Sequence, residues 1–474
     1  MSLSQLNRPL PKEEVISLYK SQGKIQPRGV EGYFSKLRWL MVWLTQIYFY
    51  GMPWLQWGGR QALLFDLDGK RFYIYGLVLY PQDLIYLTAI LIISALSLFL
   101  FTAVAGRLWC GFTCPQTVYT EIFIWIESKI EGNHMTRKKL DDMPWTPKKF
   151  GIRSSKHFVW LLFAFWTGFT FVGYFTPIRD LFIEVKYLST GPWETFWLCF
   201  YTFATYGNAG FMREQVCKYM CPYARFQSAM FDKDTLIVSY DKERGEPRGG
   251  RSSHADHQAL GDCIDCHICV QVCPTGIDIR EGLQYECISC GACADACNSV
   301  MDKVGYAQGL IKFTTENALI NRWTKKEMIK RIFRVRVLIY GLVLTTIIGG
   351  VLWSLTFRNS FRIDVVRDRG VMARLADGGM LENVYRLNIM NALEEGQHYK
   401  IYVEGLNNIV VDSDNLEPNK TIAIKATESR WVPVRVQIPD GVEKSGSHKI
   451  MFRIESEETH EIVKEKSTFI VPRN

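Results

Sequence analysis

Two cysteine runs decide the fold of this chain. Residues 263–274 read CIDCHICVQVCP, and residues 287–297 read CISCGACADAC. Both have the spacing C-x2-C-x2-C-x3-C, and together they hold eight of the 13 cysteines. This spacing is typical of [4Fe–4S] binding, because three closely spaced thiolates wrap one corner of a cubane and the fourth reaches the neighbouring cluster. The runs therefore predict an α+β ferredoxin domain with two [4Fe–4S] clusters and a core at 258–305.

The crossing of the fourth cysteine divides the eight ligands into two sets. One cluster is predicted on Cys263, Cys266, Cys269 and Cys297, and the other on Cys287, Cys290, Cys293 and Cys273. Gly291 and Ala292 are small enough for the loop to close, whereas Asn298 stands where a proline often follows. Zinc held by paired C-x-x-C units is the alternative, but zinc sites usually lack a third cysteine at the same interval.

Four further cysteines form two C-x3-C-P turns, at 110–115 and 217–222. Each turn follows an apolar stretch and precedes an amphipathic one, which indicates an internal repeat. Proline at the first helical position would place Cys114 and Cys221 at helix N-termini, where the helix dipole lowers the pKa of a thiol.

These four cysteines are candidate redox or metal ligands. Thiolates suit Cu(I), zinc and iron–sulfur clusters, and Met220 favours copper further. The candidate catalytic and copper-binding residues are Cys110, Cys114, Cys217, Cys221 and Met220. Structural packing is the alternative for the four cysteines. Packing is also the prediction for Cys199, and His267, His254 and His257 are not predicted to be ligands.

Five apolar stretches have about the ~20 residues that a membrane-spanning helix needs. They lie at 39–57, 84–106, 157–175, 194–212 and 337–357. The second and fifth contain no charged residue, whereas Glu194 lies at the edge of the fourth. The pattern predicts a multi-domain membrane protein with a five-helix transmembrane bundle. A buried core helix is the alternative for each stretch.

Lysine and arginine predict the orientation. Residues 1–38 contain seven of them and 107–156 contain nine, whereas 58–83 contain three and 176–193 contain two. The positive-inside rule then places the N-terminal segment 1–38 and the ferredoxin region 213–336 in the cytoplasm. The C-terminal residues 358–474 fall in the periplasm of a bacterium, which makes the inner membrane the predicted location. Five arginines between Arg358 and Arg374 oppose this orientation, although a long translocated domain weakens the rule.

Residues 358–474 have a different sequence pattern from the apolar stretches and the cysteine runs. Short runs alternate apolar and polar residues, among them YRLNIMN at 385–391 and VPVRVQI at 432–438. This pattern predicts an all-β, Ig-like sandwich. The tail contains no cysteine, which favours docking or a stabilising cap over catalysis. A net charge of +8 over 474 residues is too small to indicate nucleic-acid binding.

One more segment makes the pattern specific. Residues 239–249 read SYDKERGEPRG and lead into the first cysteine run. Together with the two C-x3-C-P turns, the two-cluster insert and the β tail, this segment resembles the FixG/CcoG/RdxA family of cytochrome c oxidase accessory proteins over nearly the whole chain. The resemblance implies a role in assembling cbb3-type cytochrome c oxidase, through reduction of Cu(II) so that copper can be delivered. The partners that it implies are oxidase subunits or copper chaperones and transporters.

Three functions follow as hypotheses. The first is a membrane-bound iron–sulfur electron-transfer protein that reduces Cu(II), with electrons from a cytoplasmic donor or from quinol. The second is a quinol-linked relay to a periplasmic acceptor, similar to NapH or NosR. The third is an oxidase-assembly scaffold whose clusters act as sensors. Membrane lipid is a predicted partner in each case, and a homodimer is left open.

Overall fold

The structure, a computed structural model, describes residues 25–251, 260–368, 373–376, 379–414 and 421–472. Residues 1–24 of the predicted N-terminal segment and the linker residues His254 and His257 lie outside this part of the chain. The chain divides into two compact units. The first comprises 1–40, 105–159 and 212–324, and the second comprises 41–104, 160–211 and 325–474. Both C-x3-C-P turns thus belong to the same unit as the ferredoxin core, whereas most of the apolar stretches group with the β tail.

The first unit is built from short helices and one pair of strands. Its helices are Leu108–Phe112, Pro115–Glu131, His134–Asp142, Pro222–Met230, Lys242–Gly245, Ile268–Gln271, Ala292–Val304 and Glu316–Ile320, with a π-helical turn at Val216–Met220 and a 3-10 turn at Ile279–Glu281. The strand Ile237–Tyr240 pairs antiparallel with Ile311–Thr314. Buried Val238, Ala294 and Met301 join this ribbon to the helix Ala292–Val304. An α+β layer therefore supports both cysteine runs.

Two helices of the described residues are long and apolar enough to cross a membrane. They are Pro81–Ala105, with mean hydropathy 2.6, and Val335–Thr356, with mean hydropathy 2.1. Only 6% of the most apolar part of each is buried inside the protein, whereas a core helix would be mostly buried. The Tyr86 hydroxyl of the first lies 2.8 Å from Ser354 Oγ of the second. Length and composition therefore support two of the five predicted spans.

The other three predicted spans also contain helices. These helices are Tyr33–Gly51, Pro147–Val172 and Pro192–Gly207, and the second unit adds Ile178–Tyr187 and Lys325–Ile332. Tyr50 and Thr167 hold the first two together, with 2.8 Å between their side-chain oxygens. The α-helix at 192–207 is shorter than the predicted fourth span, because a π-helical turn begins at Asn208. A bundle of five membrane helices remains a prediction.

The segment 58–83, expected only to connect two spans, contains a small antiparallel sheet. Its strands are Leu63–Asp66, Arg71–Ile74 and Leu77–Leu79, preceded by a ribbon of Gln56–Trp57 and Arg60–Gln61. The Tyr80 hydroxyl donates to the carbonyl of Asn391 at 2.7 Å. Buried Asp83 pairs with Arg358 and Arg362, each at 2.7 Å. This segment therefore anchors the β tail within the second unit.

The tail forms two antiparallel sheets, as expected for an Ig-like sandwich. One sheet has the order Val410–Asp412, Ser429–Pro439, Met380–Asn391 and Phe361–Arg367, with Arg374–Ala376 at its side. The other has the order Thr421–Ile424, Gln397–Glu404, Gly446–Ser456 and Ile462–Val471. Alternate residues of both sheets meet in one core, in which Tyr385, Val434 and Phe452 are fully buried. The predicted alternation of apolar and polar residues is the pattern that a two-layer sandwich requires.

Candidate metal centres

The eight cysteines of the two runs line two separate cavities. The first cavity is lined by Cys263, Cys266, Cys269 and Cys297. The second is lined by Cys273, Cys287, Cys290 and Cys293, with Cys269 also at its wall. The polar side chains besides cysteine are Arg280, His267 and Tyr240 at the first cavity and Thr275 at the second. The other lining residues are apolar. Four sulfur donors in an apolar cavity fit a [4Fe–4S] cluster.

The loops curve around these cavities because several residues adopt left-handed backbone conformations. Asp265 and His267 in the first run have φ of 55° and 53°. Ser289 and Gly291 in the second run have φ of 54° and 74°. A side-chain carbon at Gly291 would come within 2.7 Å of the Phe34 ring. The predicted need for a small residue at Gly291 therefore has a steric cause as well as a conformational one.

The fourth cysteine of each run continues into a different structure. After Cys273 the chain turns at Pro274 and reaches Gly276, whose φ is 70°. After Cys297 the helix continues to Val304, so no turn follows. Asn298 lies inside that helix and its side chain accepts from the Gly309 amide at 2.9 Å. Asparagine suits this position because proline within a helix would remove a backbone hydrogen bond.

The two C-x3-C-P turns have the predicted helix-capping geometry. Cys114 is the N-cap of Pro115–Glu131, and Cys221 is the N-cap of Pro222–Met230. The Gln116 side chain donates to the Arg213 carbonyl at 3.1 Å, which ties the first turn to the segment before the second. The Cys110 thiol donates to Gln227 Oε1 at 3.2 Å. The two halves of the sequence repeat therefore meet within one unit.

The close spacing of the thiols in these turns affects the pKa of Cys110. Cys114, Cys217 and Cys221 each raise the pKa of Cys110, although burial is the largest cause. Burial raises the pKa values of Cys110 and Cys217 to about 12. The predicted lowering of the Cys114 pKa is wrong: backbone amides of Gln116 and Thr117 do lower it, but burial outweighs them. The raised pKa values therefore keep Cys110 and Cys217 protonated at neutral pH.

The first C-x3-C-P turn lies directly against the second cysteine run. Cys110 and Cys217 pack against a cluster that contains Ile288 and Cys290. A side-chain carbon at Gly111 would lie 2.6 Å from the Ile288 carbonyl oxygen and 2.8 Å from Cys290 Cα. Only glycine allows this approach, so the turn and the candidate cluster loop share an interface without an intervening side chain.

A buried ion network that was not predicted from the sequence holds the same turns. Glu127 is fully buried and pairs with Arg213 at 2.8 Å, Arg137 at 3.3 Å and Lys156 at 3.6 Å. Lys156 also contacts Glu131 at 2.8 Å. Because Glu127 belongs to the helix that Cys114 caps and Arg213 precedes Cys217, this network fixes the two turns relative to each other. The sequence feature that could have indicated this network is Glu127, an acidic residue among the apolar residues that follow Pro115.

Cys199, His267 and Met220 are the other residues that the sequence singles out. Cys199 is exposed on the helix Pro192–Gly207 in the second unit, so the packing predicted for it is not seen within the described part of the chain. His267 Nδ1 contacts Arg280 at 2.8 Å. Met220 is 54% exposed. Among the residues that the structure describes, no three His, Cys, Asp or Glu side chains are arranged to hold a single metal ion.

Family models match three parts of the chain. Residues 212–316 match a 4Fe-4S dicluster domain, and residues 87–134, with the first C-x3-C-P turn, match a 4Fe-4S binding domain. Residues 351–472 match the IG-like fold at the C-terminal of FixG. With the fold and the cysteine cavities, these matches define the class: an iron–sulfur electron-transfer protein with an Ig-like tail.

Curated relatives extend the match to most of the chain. Nitrogen fixation protein FixG of Rhizobium meliloti is 35% identical over 422 residues, which are 82% of this chain and 80% of the relative. Protein RdxA of Cereibacter sphaeroides is 36% identical over 82% of this chain and 84% of its own length. Protein RdxB of the same organism is 34% identical over 88% and 90%. The chain belongs to the FixG/RdxA family, as the resemblance predicted.

Proposed function

We propose that this protein is a membrane-bound iron–sulfur electron carrier that reduces Cu(II) to Cu(I) and supports copper delivery to cbb3-type cytochrome c oxidase. One observation carries the proposal: the C-x3-C-P turn with Cys110 packs directly on the loop that contains Cys290. The candidate copper-binding thiol of Cys110 thus lies next to the candidate cluster loop, with no other side chain between Gly111 and that loop. Electron transfer between neighbouring sites needs such proximity.

The residues divide into three roles. Cys263, Cys266, Cys269 and Cys297 would hold one [4Fe–4S] cluster, and Cys273, Cys287, Cys290 and Cys293 would hold the other. When bound, the clusters supply one-electron storage beside the C-x3-C-P turns. Cys110, Cys114, Cys217 and Cys221 would bind the copper substrate, with Met220 at the exposed side. Because no three of these cysteines are arranged around one ion in the described part of the chain, the thiols would draw together as copper binds.

The electron balance of the reaction is simple. Each Cu(II) takes one electron to become Cu(I), so a quinol oxidised to quinone reduces two Cu(II) and releases two protons. Thiolate and thioether ligands prefer Cu(I) over Cu(II), which favours the product. Loading requires loss of the thiol protons, because burial keeps Cys110 and Cys217 protonated otherwise. Copper binding therefore releases protons.

The membrane arrangement belongs to the same proposal. The ferredoxin core would face the cytoplasm, and the Ig-like tail would face the periplasm, where oxidase subunits or copper chaperones dock. The two apolar helices at 81–105 and 335–356 support membrane attachment. The lysine and arginine residues that precede residue 337 favour the cytoplasmic side for the ferredoxin region.

A second candidate concerns the four C-x3-C-P cysteines. The match of residues 87–134 to a 4Fe-4S binding domain includes Cys110 and Cys114. This match favours an iron–sulfur centre on Cys110, Cys114, Cys217 and Cys221 in place of a copper site. Iron and copper analysis of the purified protein separates the two candidates.

Reduction of Cu(II) by the purified full-length protein tests the proposal. The protein is reduced, separated from excess reductant and mixed with Cu(II) and a Cu(I)-specific chelator. The wild type should form the Cu(I) chelate, whereas Cys266→Ser and Cys290→Ser should lose part of the iron-linked visible absorbance and form less chelate. Wild-type protein that has both clusters but forms no Cu(I) would sink the proposal, and unchanged absorbance in both variants would refute the cluster ligands.

A further inference from the structure

Residues 25–35, which we call the N-terminal strap, lie against the loops that carry the second ligand set. The amide of Arg28 donates to the carbonyl of Gln271 at 2.9 Å, two residues before Cys273. Val30 packs against the apolar cluster whose members line the second cavity. The strap therefore contacts both cysteine runs where each supplies ligands of the second set.

Asp295 fastens the end of the strap to the second cysteine run. Its carboxylate, in a residue that is 4% exposed, accepts from the amides of Ser35 at 2.7 Å and Phe34 at 3.2 Å. Both amides belong to the first turn of a helix, where backbone N–H groups have no helical partner. The Phe34 ring lies against Gly291. Because Gly291 and Asp295 stand on either side of Cys293, the strap holds this part of the run in place.

The first ligand set differs because it reaches the surface. Of the eight cysteines in the two runs, Cys266 alone is exposed. The side chains of its neighbours Asp265 and His267 are 40% and 58% exposed. Cys266 also lines the first cavity, so that cavity meets the solvent at one of its own ligands.

The two cavities and the C-x3-C-P turns follow one another in space. Cys269 lines both cavities, so the two candidate cluster sites share a wall. The loop of the second set in turn packs with Cys110 and Cys217. The order from the surface inward is therefore the first ligand set, the second ligand set and the turns.

We propose that electrons from an external one-electron donor enter through the ligand set that contains Cys266, and that the strap limits direct access to the set that contains Cys290. One electron leaves the donor, is held at the first set and passes to the second, so the donor gives one electron for each Cu(II) that becomes Cu(I). Phe34 and Asp295 are positioning residues, since they hold the strap on the cluster loop. The inference rests on the two clusters of the proposed function.

Stopped-flow reduction of the purified full-length protein tests the order of entry. The probe is reduced methyl viologen, a small one-electron donor, and the cluster absorbance reports the rate. Cys290→Ala, which keeps the first set, should be reduced as fast as the initial phase of the wild type. Cys266→Ala, which keeps the second set, should be reduced about tenfold more slowly, because the shell around a metal site controls access from solvent. Equal rates in the two variants would overturn the inference.

Loosening the strap should open the slow route. Phe34→Ala removes the ring that lies on Gly291, so adding it to Cys266→Ala should raise the slow rate several-fold. Gly29→Ala in the same background is the control, because no atom outside the adjacent residues lies within 4 Å of a carbon added there. An unchanged rate with Phe34→Ala, or equal acceleration by both substitutions, would contradict the role of the strap.

Iron release from chains with all eight cysteines decides the question if Cys266→Ala holds no cluster. An iron chelator should remove iron in two phases, and mass spectrometry after alkylation should find Cys263 modified before Cys287. Phe34→Ala should speed only the second phase. A single phase, or earlier modification of Cys287, would overturn the inference. Wild-type protein with two clusters that fails to reduce Cu(II) would contradict only the proposed reductase, whereas protein without two clusters would contradict both.

Discussion

Gly111 and Cys290 approach so closely that a side-chain carbon on Gly111 would lie 2.8 Å from Cys290 Cα. Gly111→Ala should therefore push the second cysteine run away from the C-x3-C-P turn. Overpacking of this kind costs about 1–3 kcal/mol, more than alanine gains in a helix. We expect lower thermal stability and lower iron content per chain, measured by unfolding and by metal analysis.

Gly29→Ala is the matched control, because no atom outside the adjacent residues lies within 4 Å of a carbon added there. It should keep wild-type iron content and stability. Full iron content and unchanged stability in Gly111→Ala would contradict a tight interface between the turn and the cluster loop.

Removal of the Glu127 charge should loosen both C-x3-C-P turns. Glu127→Gln leaves Arg213, Arg137 and Lys156 buried with one carboxylate fewer. Breaking a buried ion network costs about 3–5 kcal/mol. The variant should unfold at lower temperature, and its Cys217 should react faster with a maleimide than Cys217 of the wild type.

An exposed ion pair gives the comparison. Glu243 and Arg322 are 69% and 83% exposed and lie 3.1 Å apart, so Glu243→Gln should cost about 0–1 kcal/mol. Equal losses in the two variants would mean that Glu127 does not organise the turns.

Alkylation of the metal-depleted protein should depend steeply on pH. Burial raises the pKa of Cys110 from 9.0 to about 12, and only the thiolate reacts with iodoacetamide. At pH 8 its thiolate fraction should be about one thousandth of that of an ordinary cysteine, since three pKa units separate them. Site-resolved mass spectrometry measures the rate, with Cys110 in the urea-denatured chain as the reference.

The same shift links pH to stability. The fold favours the neutral Cys110 thiol, so its contribution to the free energy of unfolding is fully present below pH 9 and is lost as the pH rises toward about 12. Metal-depleted protein should therefore become less stable in that alkaline range. Equal alkylation of folded and denatured Cys110 at pH 8 would show that the thiol is not buried.

The sequence predicted those parts of the site that depend on local spacing. The spacing C-x2-C-x2-C-x3-C predicts two ligand sets, and the members of each set line one cavity. The helix caps at Cys114 and Cys221 follow from the prolines after them. The Ig-like tail follows from alternation with period two. These features depend on a few neighbouring residues, so their patterns remain visible in one chain.

Features that depend on distant contacts were missed. Arg107 is indistinguishable in sequence from the basic residues that orient a membrane helix, and its burial is evident only in the fold. The raised pKa of Cys114 was also missed, because helix position is local whereas burial is not. The sheet at 63–79 lies between two apolar stretches and reads as a connecting segment.

In the proposed function, Cys110, Cys114, Cys217 and Cys221 form the site where Cu(II) is reduced. It is tested most directly by a single-turnover measurement on Cys110→Ala/Cys217→Ala beside the wild type, with Cys199→Ala as the control for loss of an exposed thiol. After reduction and removal of excess reductant, wild type and Cys199→Ala should form the Cu(I) chelate. The double variant should retain its cluster EPR signals and form almost none. Full Cu(I) formation by the double variant, with its clusters intact, would contradict the account.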